Sequence, residues 1–239
     1  MSLFTRKLRN GADLTAADES TLNKLAEPSR QIERRGDILP DGSKPSSLIL
    51  FLEGWACRYK QLENGKRQII SIFLPGDLSE PFGAVPPFMD HSFGALTSVR
   101  FAQVTPGTMR SVVESSPRIA EALWWDLLMA EAVLRERAIS LGRRSATERM
   151  GHLFCELQLR LAMIGLADQS SYDLPLTQAD LADLFGLSTV HVNRSLQELR
   201  GLGLISLRKG RLTIHDVHTL REFSLFDAAY LRSRGSNLN

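Results

Sequence analysis

The spacing of apolar positions changes character three times along the chain, and each change marks a different kind of element. Residues 15–26 read as a short helix, with Thr15 and Asp18 in capping-box spacing. Over residues 31–113 the pattern turns to short β-prone runs, 47–52, 55–61 and 67–73 among them. Turn signals separate them: Asp41-Gly42, Glu53-Gly54, Asn64-Gly65 and Pro75-Gly76-Asp77. Asn-Gly between two strands is a strong hairpin signal, and the series predicts an antiparallel β-roll or barrel. Residues 116–141 have no internal proline or glycine, and Ile119, Leu123, Leu127, Ala130, Leu134, Ala138 and Leu141 recur in steps of three or four. This a/d-type spacing predicts a long helix that packs on its own roll and also pairs with a second copy, with Leu123, Leu127, Ala130, Leu134, Ala138 and Leu141 as the seam. Gly142-Arg143-Arg144 reads as a hinge, and Ser145 with Glu148 caps a further amphipathic helix through Leu161.

The most informative stretch is 176–205, LTQADLADLFGLSTVHVNRSLQELRGLGLI. Thr177 and Asp180 form a second capping-box start, and Leu181, Ala182 and Phe185 give one apolar face. Gly186 closes that helix, as suits a residue that must take positive φ, and small Ala182 permits a close crossing. Ser188 caps the next helix, whose Val192, Leu196 and Leu199 form a new apolar face. Thr189, His191, Asn193, Arg194 and Gln197 are left on the outer face, short polar groups and a guanidinium suited to base edges and phosphates. After this pair, 204–207 and 212–214 are β-prone and flank Arg208-Lys209-Gly210-Arg211, a hairpin with a basic tip. The whole reads as a winged helix-turn-helix.

Bulk composition changes this picture little. With 239 residues, 43% hydrophobic and 23% charged, the chain is ordinary for a globular protein of one or two domains. A formal charge of +2 is too mild to signal nucleic-acid binding, so the inference rests on where the charges sit. The opening MSLFTRKLRN lacks the apolar core of a signal peptide, and no run approaches a membrane span. Two distant cysteines, Cys57 and Cys155, suggest a reducing cytoplasm, and the residues from about Arg232 read as a polar disordered tail.

A β-roll, a long helix and a C-terminal winged helix in this order resemble the Crp/Fnr family of bacterial transcription regulators. The resemblance spans about residues 14–214 and is strongest in the helix-turn-helix, the wing and the Pro75-Gly76-Asp77 turn. It implies an α+β fold: a cyclic-nucleotide-binding-like antiparallel β-roll over 1–115, a long dimerisation helix and hinge over 116–144, and a winged helix-turn-helix over 145–239. It also implies a homodimer that places two recognition helices in successive major-groove faces of double-stranded DNA, on half-sites about 34 Å apart, with RNA polymerase as a further partner. The expected DNA-contacting residues are Thr177, Gln178, Ser188, Thr189, Val190, His191, Asn193 and Arg194, with Lys209 and Arg211 from the wing. Arg194 stands at the family's shared arginine, which suggests a bidentate contact to guanine. Ser195 occupies a position where an apolar residue is common, so Leu196 must carry more of the packing.

Two departures matter. The catabolite-activator branch has Arg-Glu where this chain has Thr189-Val190, so that branch's operator does not transfer. In the roll, cyclic-nucleotide binders carry a Gly-Glu-Leu segment and an Arg-Ser or Arg-Thr pair, whereas this chain has Glu80-Pro81-Phe82 and His91-Ser92. Glu80, His91 and Ser92 are the corresponding effector-site candidates. A neutral imidazole is a poor substitute for a guanidinium fork against phosphate, so cyclic AMP is disfavoured. An iron–sulfur cluster would need more cysteines than two. Haem is open, since His91, His152 or Cys57 could ligate iron, and so is another small molecule or no effector. The competing class is a metal-dependent enzyme or ligand sensor in the β-roll with an interaction module attached. It would need clustered ligands, yet His91 alone of the five histidines lies in the β region. His215 and His218 read as capping or solvated residues beside the wing, and no catalytic glycine or serine motif is present.

Overall fold

The computed structural model describes residues 1–79 and 86–231. Glu80, Pro81 and the tail expected from Arg232 lie outside them. The chain divides into two compact units, with the boundary inside a long helix between Glu131 and Ala132.

The first unit opens on a helix that the sequence reading did not anticipate, α1 (Leu3–Leu8). Ser2 caps it by accepting from the Thr5 N–H, and Phe4 and Leu8, four residues apart, are both buried. The capped helix α2 (Ala16–Asn23) follows, with both Thr15–Asp18 bonds of the capping box formed, and a 3-10 turn (Lys24–Ala26) ends it. Among the described residues, seven strands then build the roll: β1 (Ser29–Ile32), β2 (Asp37–Leu39), β3 (Leu48–Glu53), β4 (Ala56–Gln61), β5 (Arg67–Phe73), β6 (Ser92–Ala95) and β7 (Val99–Val104). They pair antiparallel as a three-stranded sheet β1-β7-β3 and a four-stranded sheet β2-β6-β4-β5. Gln61 faces Arg67 across the Asn64-Gly65 turn, so the predicted hairpin closes where its turn signal lies. Inward-facing residues of both sheets meet in one core, where the Phe51, Phe73 and Phe93 rings pack at 4.7–6.4 Å between centroids.

Helix α3 (Pro106–Ser115) lies inside the stretch read as β-prone. Thr105 caps it and Pro106 occupies the first turn, while Met109 and Val112, three residues apart, are buried. Local helix-start chemistry thus overrides the β preference of the adjoining valines at 112–113. Helix α4 (Pro117–Arg143) is the long helix that the sequence predicts. It continues through Gly142, so the break falls at Arg144-Ser145 and not at the glycine. The expected seam is also rotated about the helix. Leu123 is fully buried in its own unit's core and cannot face a second copy. Leu127, Leu134 and Leu141 are half-buried, Ala130 and Ala138 are exposed, and the largest open apolar groups are Trp124, Leu128 and Ile139.

A buried charge cluster ties three parts of the first unit together. Lys7 on α1 donates to Asp77 of the Pro75-Gly76-Asp77 turn at 2.6 Å and to Asp126 on α4. All three side chains are at least nine-tenths buried. Asp77 also accepts from the Leu74 N–H, which closes its own turn. Gly76 sits at φ +91°, and a Cβ there would lie within 3 Å of the α1 backbone at Leu3. Burial opposes the charge on Lys7, but Asp126 and Asp77 outweigh it and raise its pKa. Removing the ammonium would leave two carboxylates buried without their cation. Lys7→Met is therefore expected to cost about 3–5 kcal/mol in urea unfolding of the full chain; a loss below about 1 kcal/mol would show that the cluster is already solvated.

The second unit contains the remainder of α4, helix α5 (Ala146–Met163), strand β8 (Ser171–Asp173), helices α6 (Gln178–Phe185) and α7 (Thr189–Gly201), strands β9 (Ile205–Arg208) and β10 (Arg211–Ile214), and helix α8 (Val217–Phe223). Its sheet has the order β8-β10-β9, so the predicted hairpin gains a third strand, β8. Both capping boxes expected here, Ser145–Glu148 and Thr177–Asp180, are formed.

Candidate nucleic-acid interface

Helix α6 ends at Gly186, which takes the left-handed conformation (φ 64°, ψ 35°) and returns its N–H to the Ala182 carbonyl. Ser188 begins α7 two residues later, its hydroxyl accepting from the His191 N–H. The two helices lock through Leu181, Ala182, Leu184 and Phe185 on one side and Val192, Leu196 and Leu199 on the other, all buried. Ser195 is buried as well, at 4% exposure, so Leu196 does carry the apolar contact beside it. Arg149 of α5 braces the turn by donating to the Phe185 carbonyl at 3.3 Å, and Thr147 donates to Glu198 of α7 at 2.6 Å.

What this packing leaves open is one face of the first half of α7. Thr189, Val190, His191, Asn193, Arg194 and Gln197 are all exposed. Ser188 is exposed too, but its hydroxyl is engaged by the cap and lies 3.0 Å from the His191 Nδ1. At the start of α6, Thr177 is held by the Asp180 carboxylate through both its N–H and its hydroxyl, whereas Gln178 is exposed. Among the described residues, the side chains of Asn193, Arg194 and Gln197 make no hydrogen bond or ion pair, so the groups suited to base edges are not spent inside the fold.

The wing tip is Lys209-Gly210, both at positive φ (49° and 77°), in a two-residue turn between β9 and β10. Arg208 and Lys209 are exposed and unpaired among the described residues. Arg211 is different. Its guanidinium bonds Asp168 at 2.5 Å, Asp173 at 3.1 Å and the Ser171 hydroxyl at 2.8 Å. Two carboxylates already pair with it, which sets it apart from Arg208 and Lys209 of the same basic tip. The acidic partners at 168 and 173 precede the wing by some forty residues, and only the β8–β10 pairing brings them together.

Behind the interface, α5 carries a buried polar cluster. Glu156, 2% exposed, accepts from Arg160 at 3.3 Å and from the Tyr230 hydroxyl at 2.9 Å, with Arg137 of α4 at 3.9 Å. Arg144, placed in the expected hinge, donates to Glu136, Ser140 and the Leu225 carbonyl, which clamps the α4–α5 break. His152 is 3% exposed, stacks on Tyr230 and meets Phe226 edge-on. Cys155 is buried and its thiol is pushed up to about 12 by that burial, far from a reactive thiolate.

In the roll, His91 pairs with Asp90 at 2.6 Å and packs edge-on against Phe93. The Ser92 hydroxyl accepts from the Asp41 N–H. The Arg58 guanidinium lies over Phe73 and Phe93, at 5.6 and 5.3 Å from their centroids. No cluster of three or more metal-ligating side chains occurs among the described residues, and no helix there is long and apolar enough to cross a membrane.

Residues 148–223 match the model of the Crp-like helix-turn-helix domain. Over 213 residues the chain is 27% identical to the nitrogen fixation regulation protein FixK of Bradyrhizobium diazoefficiens, covering 87% of this chain and 88% of that protein. The FixK of Azorhizobium caulinodans is 29% identical over 213 residues, with coverage of 88% and 84%. The structure of FixK2 from Bradyrhizobium japonicum superposes with a TM-score of 0.70 at 22% identity, over 82% of this chain and 96% of that one.

The buried imidazole behind α6 and α7 gives this unit a pH dependence. Burial lowers the His152 pKa from 6.5 to about 4; Glu156 opposes the shift, and Arg144 and Arg137 reinforce it. Its folded pKa lies below the unfolded value, so the unfolded chain takes up the proton first. The stability due to neutral His152 is complete above about pH 6.5 and declines as the pH falls toward 4. Urea unfolding of the wild type is expected to lose about 2 kcal/mol from this group between pH 7.5 and 5. His152→Gln should flatten that slope; an unchanged slope would place the proton elsewhere.

Proposed function

We propose that this chain, a member of the Crp/Fnr family of DNA-binding transcription regulators, works as a homodimer that sets α7 of each copy into the major groove of an inverted-repeat operator. The observation that carries this reading is the exposed face of α7, with Thr189, His191, Asn193, Arg194 and Gln197 free of structural duty other than the Ser188–His191 contact and flanked by the unpaired basic wing tip. In this reading Arg194 contacts a base edge, while Lys209 and Arg208 hold phosphates and fix register. Gln178, at the amino end of α6, is placed for a backbone contact.

The dimer is supported by α4. Trp124 and Leu128, 55% and 42% exposed, lie beside half-buried Leu127 and Leu134 and exposed Ala138 on one side of a 27-residue helix. Large apolar groups in such a row are poorly placed in water and well placed against the same row of a second copy. Trp124 and Leu128 replace Leu123 in the seam. Regulation of RNA polymerase at a promoter in the cytoplasm follows from the function class. An effector in the roll would regulate only by favouring one arrangement of the dimer over another.

Arg194→Ala is expected to cost about 1–3 kcal/mol on the specific operator and to relax base preference at one position of each half-site. An equal loss on every sequence would make it a phosphate contact. Lys209→Ala should weaken specific and non-specific binding alike and lower the salt slope by about one unit, whereas Arg211→Ala should leave that slope unchanged, because its charge is already paired. In sedimentation at micromolar concentration the wild type should be a dimer and Trp124→Glu/Leu128→Glu a monomer; a monomeric wild type that still binds its operator would overturn the dimer.

A further inference from the structure

A small cavity in the second unit lies between the end of α4, α5 and the last residue of α6. Arg137 and Ser140 line it from α4, Arg149, His152 and Glu156 from α5, and Phe185 from α6. Its free volume of about 10 Å³ admits one solute of roughly the size of a water molecule. Two of the lining side chains keep a buried nitrogen without a hydrogen-bond partner, Arg137 at Nη1 and His152 at Nε2. Both side chains are at least nine-tenths buried. His152 Nε2 is 3.4 Å from the Glu136 carboxylate but does not hydrogen-bond to it.

The charges around this cavity do not balance. Arg144 is matched by Glu136 at 3.1 Å and Arg160 by Glu156 at 3.3 Å. Glu156 also accepts from the Tyr230 hydroxyl, and at 3.9 Å it is beyond hydrogen-bond reach of Arg137. Arg149 is spent on two neutral acceptors, the carbonyls of Arg144 and Phe185. Two guanidiniums thus line the cavity with no carboxylate at hydrogen-bond distance among the described residues. Lys7 shows the opposite balance: there two carboxylates outweigh burial and raise the pKa. At Arg137 burial outweighs Glu156, Arg160 adds repulsion, and the pKa falls. A buried cation in that position is costly, and a water molecule would solvate it without supplying the missing charge.

We propose that the cavity binds one monatomic, monovalent anion of the chloride class, held by Arg137 Nη1 and His152 Nε2. An imidazole with its proton on Nε2 donates to such an ion while staying neutral. Chloride is little larger than water, whereas a tetrahedral oxyanion such as phosphate exceeds the space. Arg149 lines the same cavity and holds the Phe185 carbonyl, so the ion steadies the residue that precedes the Gly186 turn.

The test is thermal unfolding of the full chain at constant pH and ionic strength, with sodium gluconate replaced stepwise by sodium chloride or sodium bromide. The wild-type midpoint should rise and saturate, by about 2–4 °C at about 100 mM halide, the shift expected when that concentration is several times the Kd. Arg137→Met removes the cation together with its need for an anion, so it should show no such rise in the same buffers. A second measurement needs no variant: in wild-type crystals grown in sodium bromide, an anomalous bromine peak should lie against Arg137 Nη1. Equal midpoints in halide and gluconate, a full halide response in Arg137→Met, or an ordered water in that place without anomalous signal would overturn the proposal. Each of these results leaves the DNA-binding reading intact.

Discussion

The reversal at Gly186 governs what the second unit can present. The chain must turn there in the left-handed conformation, which costs other residues roughly 1–2 kcal/mol. Only then do Leu181, Ala182 and Phe185 of α6 meet Val192, Leu196 and Leu199 of α7. With that apolar face consumed, the geometry of a helix decides the rest: Thr189, Val190, Asn193, Arg194 and Gln197 must point away. Arg149, by bonding the Phe185 carbonyl, secures the last turn of α6 against the helix that carries both. The recognition face is thus a by-product of core packing, and its composition is free to be chosen for a ligand.

Charge placement, and not net charge, then separates the cations paired within the protein from those left open. Lys7, Arg144, Arg160 and Arg211 are each matched by carboxylates inside the protein. Arg194, Arg208 and Lys209 are not matched among the described residues and lie in or beside the exposed face of α7 and the wing. A chain with a formal charge of only +2 can still present a local positive surface, because its acidic groups are spent elsewhere. The Glu156 cluster on α5 shows the same economy in reverse, with several polar groups buried so that one helix can support the whole unit.

Much of this was legible in the sequence where local chemistry decides structure. The capping boxes at Thr15, Ser145 and Thr177, the Asn64-Gly65 hairpin and the Gly186 turn all form where their residues stand. What was not legible depended on partners distant in sequence. Arg211 looked like a phosphate contact because Asp168 and Asp173 reach it only through the β8–β10 pairing. Leu123 fitted the heptad spacing of a seam, but spacing does not say which of two neighbouring faces the protein's own core will claim. Helix α3 was hidden by β-branched residues, and α1 by a short opening whose apolar residues gain their meaning from the Lys7 cluster. Gly142 looked like a hinge in a sequence, yet a solvated glycine is tolerated in a helix that continues past it.

The central claim is that two copies of α7 lie in the major groove, one helical turn apart, and methylation interference tests it most directly. Dimethyl sulfate marks guanine at N7 in the major groove and adenine at N3 in the minor groove. On a duplex selected by the protein, methylated guanines at two symmetric positions about 10 base pairs apart should prevent binding, while methylated adenines should be tolerated between them. Interference confined to minor-groove adenines, or to one position without a symmetric mate, would contradict the account.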